Sequence, residues 1–215
     1  TGGSTPTVPS TSTSSDTVGA MRTDLPSSTP FDAGVLDFVV GHRTRFLTSL
    51  CESLSWLGST MTLTVIVIVA GALFAAFRLW RSALMVWLGS VTGYWLMVVL
   101  KNTIARDRPP PEYRLVHAAY HSMPSGHAMM SAIVFGLIAV GLFRCCAWIR
   151  EHPDVLLVAP ILSFLIGLSR VYLGVHWMTD VLAGWAIGAV WLAVVATVAR
   201  LGATPSPLAP SSSRA

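Results

Sequence analysis

Residues 83–100 read ALMVWLGSVTGYWLMVVL, and residues 181–199 read VLAGWAIGAVWLAVVATVA. Neither stretch contains an aspartate, glutamate, lysine or arginine, and crossing a bilayer takes about 20 predominantly apolar residues. Three further windows without these four residue types lie at 61–77, 128–143 and 155–169. A soluble helical protein would hardly contain five such windows in succession. The sequence therefore predicts an all-α, polytopic membrane helix bundle with five spans.

The composition agrees with this prediction. Of the 215 residues, 53% are hydrophobic and 11% are charged, whereas charged residues make up about a quarter of a typical soluble domain. The net charge is +4, but the basic residues are scattered through loops, which argues against a nucleic-acid partner. The three cysteines lack the spacing of a zinc site or of a disulfide framework, and we expect them to be apolar filler.

The segments outside the windows differ in composition. Residues 1–30 are dominated by Thr, Ser, Pro and Gly, and residues 201–215 by small residues and Pro, so both are predicted to be disordered tails. Residues 31–200 are predicted to form the membrane domain. Within it, apolar residues in 31–50 recur at helical spacing but are interrupted by charges, which predicts an amphipathic helix at the membrane interface. The chain starts at Thr1, so we expect an upstream segment and treat five spans as a minimum.

The connections between the windows fall into two sets on opposite sides of the membrane. One set contains Arg78, Arg81, Arg144, Arg150, Arg200 and Arg214. The other contains the N-terminal tail, the interfacial helix, residues 101–127 and residues 170–180. The positive-inside rule does not separate the two sets by count alone. If the basic residues of the second set serve a functional site, the first set is cytoplasmic and the site faces the outer side.

Three polar clusters belong to this second set, each where a span meets the same membrane surface. The first cluster, residues 101–109, contains Lys101, Arg106, Asp107 and Arg108 before Pro109. Cations at a helix end are also stabilised by the helix dipole and by lipid head groups. This cluster alone therefore leaves the choice between a site and a simple interfacial anchor open.

The second cluster is the tetrapeptide Pro124, Ser125, Gly126 and His127, which opens the third window. Pro and Ser favour a helix start, and Gly permits close backbone approach, so the unpaired amides at this helix N-terminus predict an anion cradle. His127 would stand beside that cradle. The alternative is an ordinary helix cap with a neighbouring histidine.

The third cluster runs from Ser169 and Arg170 to His176 and Asp180. If Gly174 ends one helix and the next begins near His176, the histidine and Asp180 lie one turn apart on one face. Asp180 can then accept a hydrogen bond from one imidazole nitrogen and leave the other as a nucleophile. The alternative is a cap with an interfacial carboxylate, but ionisable residues at a span boundary are costly and favour function. Together the three clusters supply the cations, amides, nucleophile and acid of a metal-free phosphoryl transfer.

These motifs resemble the type 2 phosphatidic acid phosphatase superfamily. The first motif is Lys101, then six residues, then Arg108 and Pro109. The second motif is Pro124-Ser125-Gly126-His127. The third motif is Ser169-Arg170 followed by His176 and Asp180, at the spacing found in the superfamily. The family usually has six spans, so the resemblance implies one more span in the full protein.

The resemblance also implies roles for these positions. His176 would attack phosphorus and form a phosphohistidine, Asp180 would orient it, and His127 would protonate the leaving lipid oxygen and then activate water. Lys101, Arg108 and Arg170 would clamp the phosphate oxygens, with Ser125 and the Gly126 amide completing the cradle. The resemblance implies no metal and no other cofactor.

Other polar and aromatic residues near these clusters lie outside the signature. Four of them are His117, His121, Arg106 and Arg114, which we expect to be solvated in preference to touching a head group. The aromatic residues Trp56, Tyr94, Trp95, Tyr172 and Trp177 are expected to form an interfacial belt.

The predicted function is a lipid phosphate phosphatase of the bacterial plasma membrane. Its candidate substrates are polyprenyl diphosphate, which analogy with the family favours, phosphatidylglycerol phosphate and phosphatidic acid. A lipid phosphotransferase remains an alternative, as does a non-catalytic transporter or scaffold. The soluble vanadium haloperoxidases of the same superfamily are disfavoured by the five apolar windows. The sequence leaves the oligomeric state open.

Overall fold

The computed structural model describes residues 28–201. The chain forms eight α-helices in this range: α1 Pro30–Gly41, α2 Arg45–Leu57, α3 Thr60–Ala76, α4 Trp80–Ile104, α5 Gly126–Cys145, α6 Ala147–Glu151, α7 Val158–Tyr172 and α8 Met178–Leu201. Two short 3-10 turns, Pro111–Tyr113 and Pro153–Leu157, complete the described part of the chain, which contains no strand. The predicted all-α fold is confirmed. The predicted disordered tails lie outside the described residues, apart from 28–30 and 201.

Four helical units are long and apolar enough to cross a membrane. They are α4, α5, α8 and the unit Pro153–Tyr172, in which the second 3-10 turn leads into α7. The helices α2 and α3 meet the same criterion only as a pair, and this pair is bent by 48°. Residues 28–201 therefore contain four spans, or five if α2 and α3 form one broken span. Because the fifth depends on this bent pair, the exact count stays a prediction.

The segment predicted as one amphipathic helix over residues 31–50 is instead two helices. The break lies at residues 42–44, and α2 continues past the predicted end to Leu57. Thr44 causes the restart because its side-chain oxygen accepts a hydrogen bond from the Leu47 amide at 3.2 Å, which caps a new helix. Thr29 starts α1 in the same way and forms a capping box with Asp32.

Glycines of α8 bring this helix against the backbone of α5. A Cβ added at Gly184 would lie 2.8 Å from the Ser125 carbonyl oxygen, and one added at Gly188 would lie 2.9 Å from the Met129 carbonyl oxygen. Small residues four positions apart permit such close approach between membrane helices. The N-termini of α5 and α8 therefore lie side by side, and the Ser125 amide donates a hydrogen bond to the Asp180 carbonyl at 3.0 Å. The C-terminal ends of α4 and α7 reach the same end of the bundle, where the polar side chains gather.

Candidate active site

A cavity of about 760 Å³ opens at this end of the bundle. Six of the eight predicted site residues line it: Lys101, Arg108, Gly126, His127, Arg170 and His176. The other two, Ser125 and Asp180, are buried directly behind its wall. Three separate sequence motifs therefore converge on one cavity.

His176 is placed by a tight turn between α7 and α8. Gly174 in this turn has a φ of +70°, and a Cβ at this position would lie 2.1 Å from the Tyr113 carbonyl oxygen. Only glycine fits both the left-handed backbone and this contact. The turn brings His176 to the start of α8, so that its Nδ1 lies 3.4 Å from the Asp180 Oδ2. The predicted pairing of the two residues at positions i and i+4 is present.

Asp180 is held by several donors besides His176. The Trp177 amide donates a hydrogen bond to Oδ2 at 2.9 Å, and the Ser122 hydroxyl donates to the same oxygen. The Asp180 side chain is fully buried, and buried carboxylates require such partners. These donors hold Oδ2 in place, where it can accept a hydrogen bond from Nδ1–H of His176.

The second imidazole nitrogen of His176 faces the cations. Nε2 lies 3.1 Å from Nη1 of Arg108, and with the proton on Nδ1 its lone pair accepts a hydrogen bond from this guanidinium. Burial, then the positive charges of Arg108, Lys101 and Arg170, lower the pKa of His176 well below its ordinary value. The imidazole is therefore neutral at physiological pH, as a nucleophile must be.

Lys101 and Arg108 are oriented by backbone carbonyls of the segment 119–122. The Lys101 ammonium donates to the His121 carbonyl at 2.7 Å, while Nε and Nη2 of Arg108 donate to the carbonyls of Tyr120 and Ala119, each at 2.9 Å. Burial, together with the nearby Arg114 cation, lowers the pKa of Arg108 to about 10. The guanidinium nevertheless remains charged at neutral pH.

Arg170 and Ser125 keep polar atoms that no group in the described part of the chain satisfies. Within residues 28–201, the buried side-chain atoms without a hydrogen-bond partner are Ser90 Oγ, Ser125 Oγ and Arg170 Nε. Two of these three atoms therefore belong to the predicted site. Since buried polar groups in native proteins are nearly always paired, this concentration is typical of a ligand-binding site. The N-terminus of α5 adds unpaired amides and a positive dipole end at the same place.

Arg106 and Trp177 differ from their predictions. Arg106 was expected to be solvated, but its side chain is only 13% exposed and bridges two carboxylates, Asp32 at 2.7 Å and Asp180 at 2.6 Å. Trp177 was expected in an interfacial belt, but it is 2% exposed and donates a hydrogen bond to the Asp107 carbonyl at 2.9 Å. Both expectations were wrong because these side chains pack between the motifs and away from lipid.

Sequence reasoning also missed residues from the N-terminal helices. Asp32 of α1 reaches the site through Arg106, and Ser55 of α2 accepts a hydrogen bond from Nη1 of Arg170. The only local signal was the T-x-x-D capping pattern of Thr29 and Asp32, which predicts a helix start and no contact with distant motifs.

Apolar side chains form much of the remaining cavity wall. Residues of α3, α4 and α5 extend the cavity from the cations down between the spans: Leu63, Val67, Val91, Met97, Val98, Met130 and Val134. The cavity is thus amphipathic, with a cationic end near the membrane surface and an apolar side within the spanning region. This polarity matches that of a lipid with an anionic head.

Comparisons with known proteins point to one family. Residues 82–201 match the PAP2 superfamily. Phosphatidylglycerophosphatase B of Bacillus subtilis (strain 168) is 36% identical over 159 residues, which cover 73% of this chain and 77% of that protein. The undecaprenyl-diphosphatase of Sulfolobus acidocaldarius is 34% identical over 102 residues, 44% of this chain and 43% of that protein. The crystal structure of a transmembrane PAP2 type phosphatidylglycerolphosphate phosphatase from Bacillus subtilis matches with a TM-score of 0.74 and 32% identity, over 79% of this chain and 85% of that one.

Proposed function

Because this chain belongs to the PAP2 superfamily and is a membrane lipid phosphate phosphatase, we propose that it works through a phosphohistidine on His176. The observation that carries this proposal is the convergence of a buried His176 with three cations on one amphipathic cavity. The resemblance predicted from the three motifs is confirmed at the level of the family. The roles of the individual residues are part of the proposal.

The first step transfers the phosphoryl group to the protein. Nε2 of His176 attacks phosphorus while the bond from phosphorus to the lipid oxygen breaks. His127, which lines the same cavity, donates a proton to the leaving oxygen. Asp180 accepts the Nδ1 hydrogen bond and stabilises the positive charge that develops on the imidazole ring.

The second step returns the protein to its starting state. His127, now neutral, removes a proton from a water molecule, and the resulting oxygen attacks phosphorus. The bond between phosphorus and Nε2 breaks, and inorganic phosphate leaves. The same histidine thus acts as acid in the first step and as base in the second.

The three cations supply most of the transition-state stabilisation in this scheme. Lys101, Arg108 and Arg170 surround the cavity end at which His176 lies, and preorganised positive charge usually contributes most to the acceleration of phosphoryl transfer. The Ser125 hydroxyl and the Gly126 amide add donors at the start of α5. Since side chains and amides provide this charge, we propose that the reaction proceeds without a metal.

Phosphatidylglycerol phosphate is our first candidate substrate. A relative and a solved structure, both from Bacillus subtilis and similar to this chain over more than 70% of its length, carry that substrate in their names. Polyprenyl diphosphate, which analogy with the family favoured, is the second candidate because of the similarity to an undecaprenyl-diphosphatase. We further propose that the site faces the outer side of the bacterial plasma membrane. Counts of Lys and Arg do not decide the orientation, but if the basic residues at the cavity serve the phosphate, the remaining bias places the opposite end, with Arg78, Arg81, Arg144, Arg150 and Arg200, in the cytoplasm.

Phosphate release by the purified chain in detergent tests the proposal. Phosphatidylglycerol phosphate, polyprenyl diphosphate and phosphatidic acid are assayed in EDTA with the wild type, His176→Ala and the control His152→Ala. His152 is exposed and stacks on Trp148, outside the cavity. We expect EDTA-resistant release that His176→Ala abolishes and His152→Ala preserves.

Two results would contradict the proposal. Equal release by the wild type and His176→Ala would remove His176 as the nucleophile. Transfer of labelled phosphate to an added alcohol in preference to water, detected by product analysis, would favour the phosphotransferase alternative.

A further inference from the structure

A chain of buried charges connects α1 to the proposed nucleophile. The Arg106 guanidinium uses Nη1 to bind Asp180 Oδ1 at 2.6 Å and Nη2 to bind Asp32 Oδ2 at 2.7 Å. The other oxygen of Asp180, Oδ2, is the one that lies 3.4 Å from Nδ1 of His176. Arg106 therefore binds one oxygen of the Asp180 carboxylate, and the His176 imidazole lies against the other oxygen.

Asp32 is tied firmly into this chain. The Thr179 amide donates to Asp32 Oδ1 at 2.9 Å, and the Thr179 hydroxyl donates to Oδ2 at 2.7 Å. Burial opposes ionisation of Asp32, but hydrogen bonds from Thr179, Arg106 and Thr29 outweigh it and lower the pKa of the carboxyl below its ordinary value. Asp32 is thus a buried anion that faces the buried cation Arg106.

We propose that Asp32 and Arg106 are positioning residues for His176, an inference that rests on the function proposed above. Arg106 fixes the rotation of the Asp180 carboxylate, so that Oδ2 stays aligned with Nδ1. Asp32 fixes Arg106 and balances its charge, so that Asp180 keeps enough negative charge to stabilise the imidazolium formed during attack. Asp32 lies outside residues 82–201, the segment that matches the family, so the proposal extends the site to the N-terminal helix α1.

A purely structural role for the same contacts predicts different kinetics. If Asp32 only anchored α1 to α8, its loss would lower the amount of folded protein and leave the turnover of the remaining molecules unchanged. A positioning role lowers kcat in folded protein and leaves KM alone, because Lys101, Arg108 and Arg170 still hold the phosphate.

The test measures kcat, KM and thermal unfolding in detergent for Asp32→Asn, Asp32→Glu, Arg106→Met and Arg106→Lys. The matched control is Glu112→Gln, which neutralises an exposed carboxylate in the connection between α4 and α5. We expect kcat to fall about tenfold for Asp32→Asn and about 100-fold for Arg106→Met, with KM within about twofold. Asp32→Glu and Arg106→Lys, which keep the charges, should recover part of the loss, and Glu112→Gln should match the wild type.

The double variant Asp32→Asn with Arg106→Met provides a second criterion. Both residues act through one contact to Asp180. The kcat of the double variant should therefore lie within about twofold of the kcat of Arg106→Met alone. Multiplicative losses, wild-type kcat in Asp32→Asn, or losses explained entirely by unfolding would each overturn the inference. His176→Ala is run in parallel: if it stays active, the proposed mechanism fails, whereas an inactive His176→Ala beside a normal Asp32→Asn refutes only the positioning role.

Discussion

Replacing Gly184 by alanine should disturb the site through the backbone contact between α5 and α8. The added Cβ would lie 2.8 Å from the Ser125 carbonyl oxygen and 3.2 Å from the Met129 amide nitrogen, whereas ordinary contact begins at 3.4 Å. The two helices must therefore move apart by about 0.6 Å at this point, the difference between 3.4 and 2.8 Å. The nearest atom belongs to the main chain, so no side-chain rotation can relieve the overlap.

This movement acts on the chemistry because the two helices carry the two histidines. His127 stands at the start of α5, and the turn before α8 carries His176. The hydrogen bond from the Ser125 amide to the Asp180 carbonyl, 3.0 Å long, crosses the same contact. Because a misplacement of about 1 Å can cost about 100-fold in rate, we expect about a tenfold loss of kcat. Overpacking should also lower the free energy of unfolding by about 1–3 kcal/mol.

The assay compares phosphate release and thermal unfolding in detergent for Gly184→Ala and Gly34→Ala. Gly34 lies within α1, and a Cβ added there meets nothing within 4 Å. The control should therefore keep full activity and gain about 0.5–1 kcal/mol from the better helix propensity of alanine. Wild-type kcat and an unchanged Tm in Gly184→Ala would refute the claim that this contact sets the geometry of the site.

Three further predictions concern the turn, the nucleophile and α2. Gly174→Ala should lower the free energy of unfolding by at least about 1–3 kcal/mol, measured by thermal unfolding, because it combines a left-handed backbone with a Cβ only 2.1 Å from the Tyr113 carbonyl oxygen. As the pH is lowered, kcat/KM should begin to fall only below about pH 6.5, because the lowered pKa of His176 keeps the proposed nucleophile unprotonated through the ordinary histidine range. A fall in kcat/KM that begins at or above about pH 6.5 would contradict a buried neutral His176. Ser55→Ala should raise KM by about tenfold, because Nη1 of Arg170 loses its hydroxyl partner and the guanidinium is no longer held towards the phosphate. An unchanged KM would contradict a role for α2 in phosphate binding.

The sequence predicted the parts of the site that depend on local spacing. The four-residue separation of His176 and Asp180 places them one helical turn apart, and Gly174 marks the turn between two apolar windows. The cradle at Gly126 could be inferred because a helix N-terminus presents unpaired amides wherever it occurs. These features follow from the geometry of a single helix or turn.

Contacts between distant segments could not be predicted in the same way. Asp32 and Thr179 are 147 positions apart, and no periodicity connects them. The bend between α2 and α3 was missed for the same reason: Gly58 is required there because a Cβ would lie 2.3 Å from the Ile166 Cγ2, an atom of a helix much later in the chain. Arg106 looked like an interfacial cation because its two carboxylate partners come from α1 and α8.

The cavity has a cationic region and an apolar region, and different residues form the two regions. Its cationic end is built from charged side chains and histidines near the membrane surface, whereas its apolar side is built from residues such as Leu63, Val67 and Val134. Changes in the size of these apolar side chains alter the space in this part of the cavity without changing the histidines or the three cations at its other end. The scaffold can therefore be adapted to lipids of different tail length or branching, by evolution or by engineering, while its chemistry stays constant.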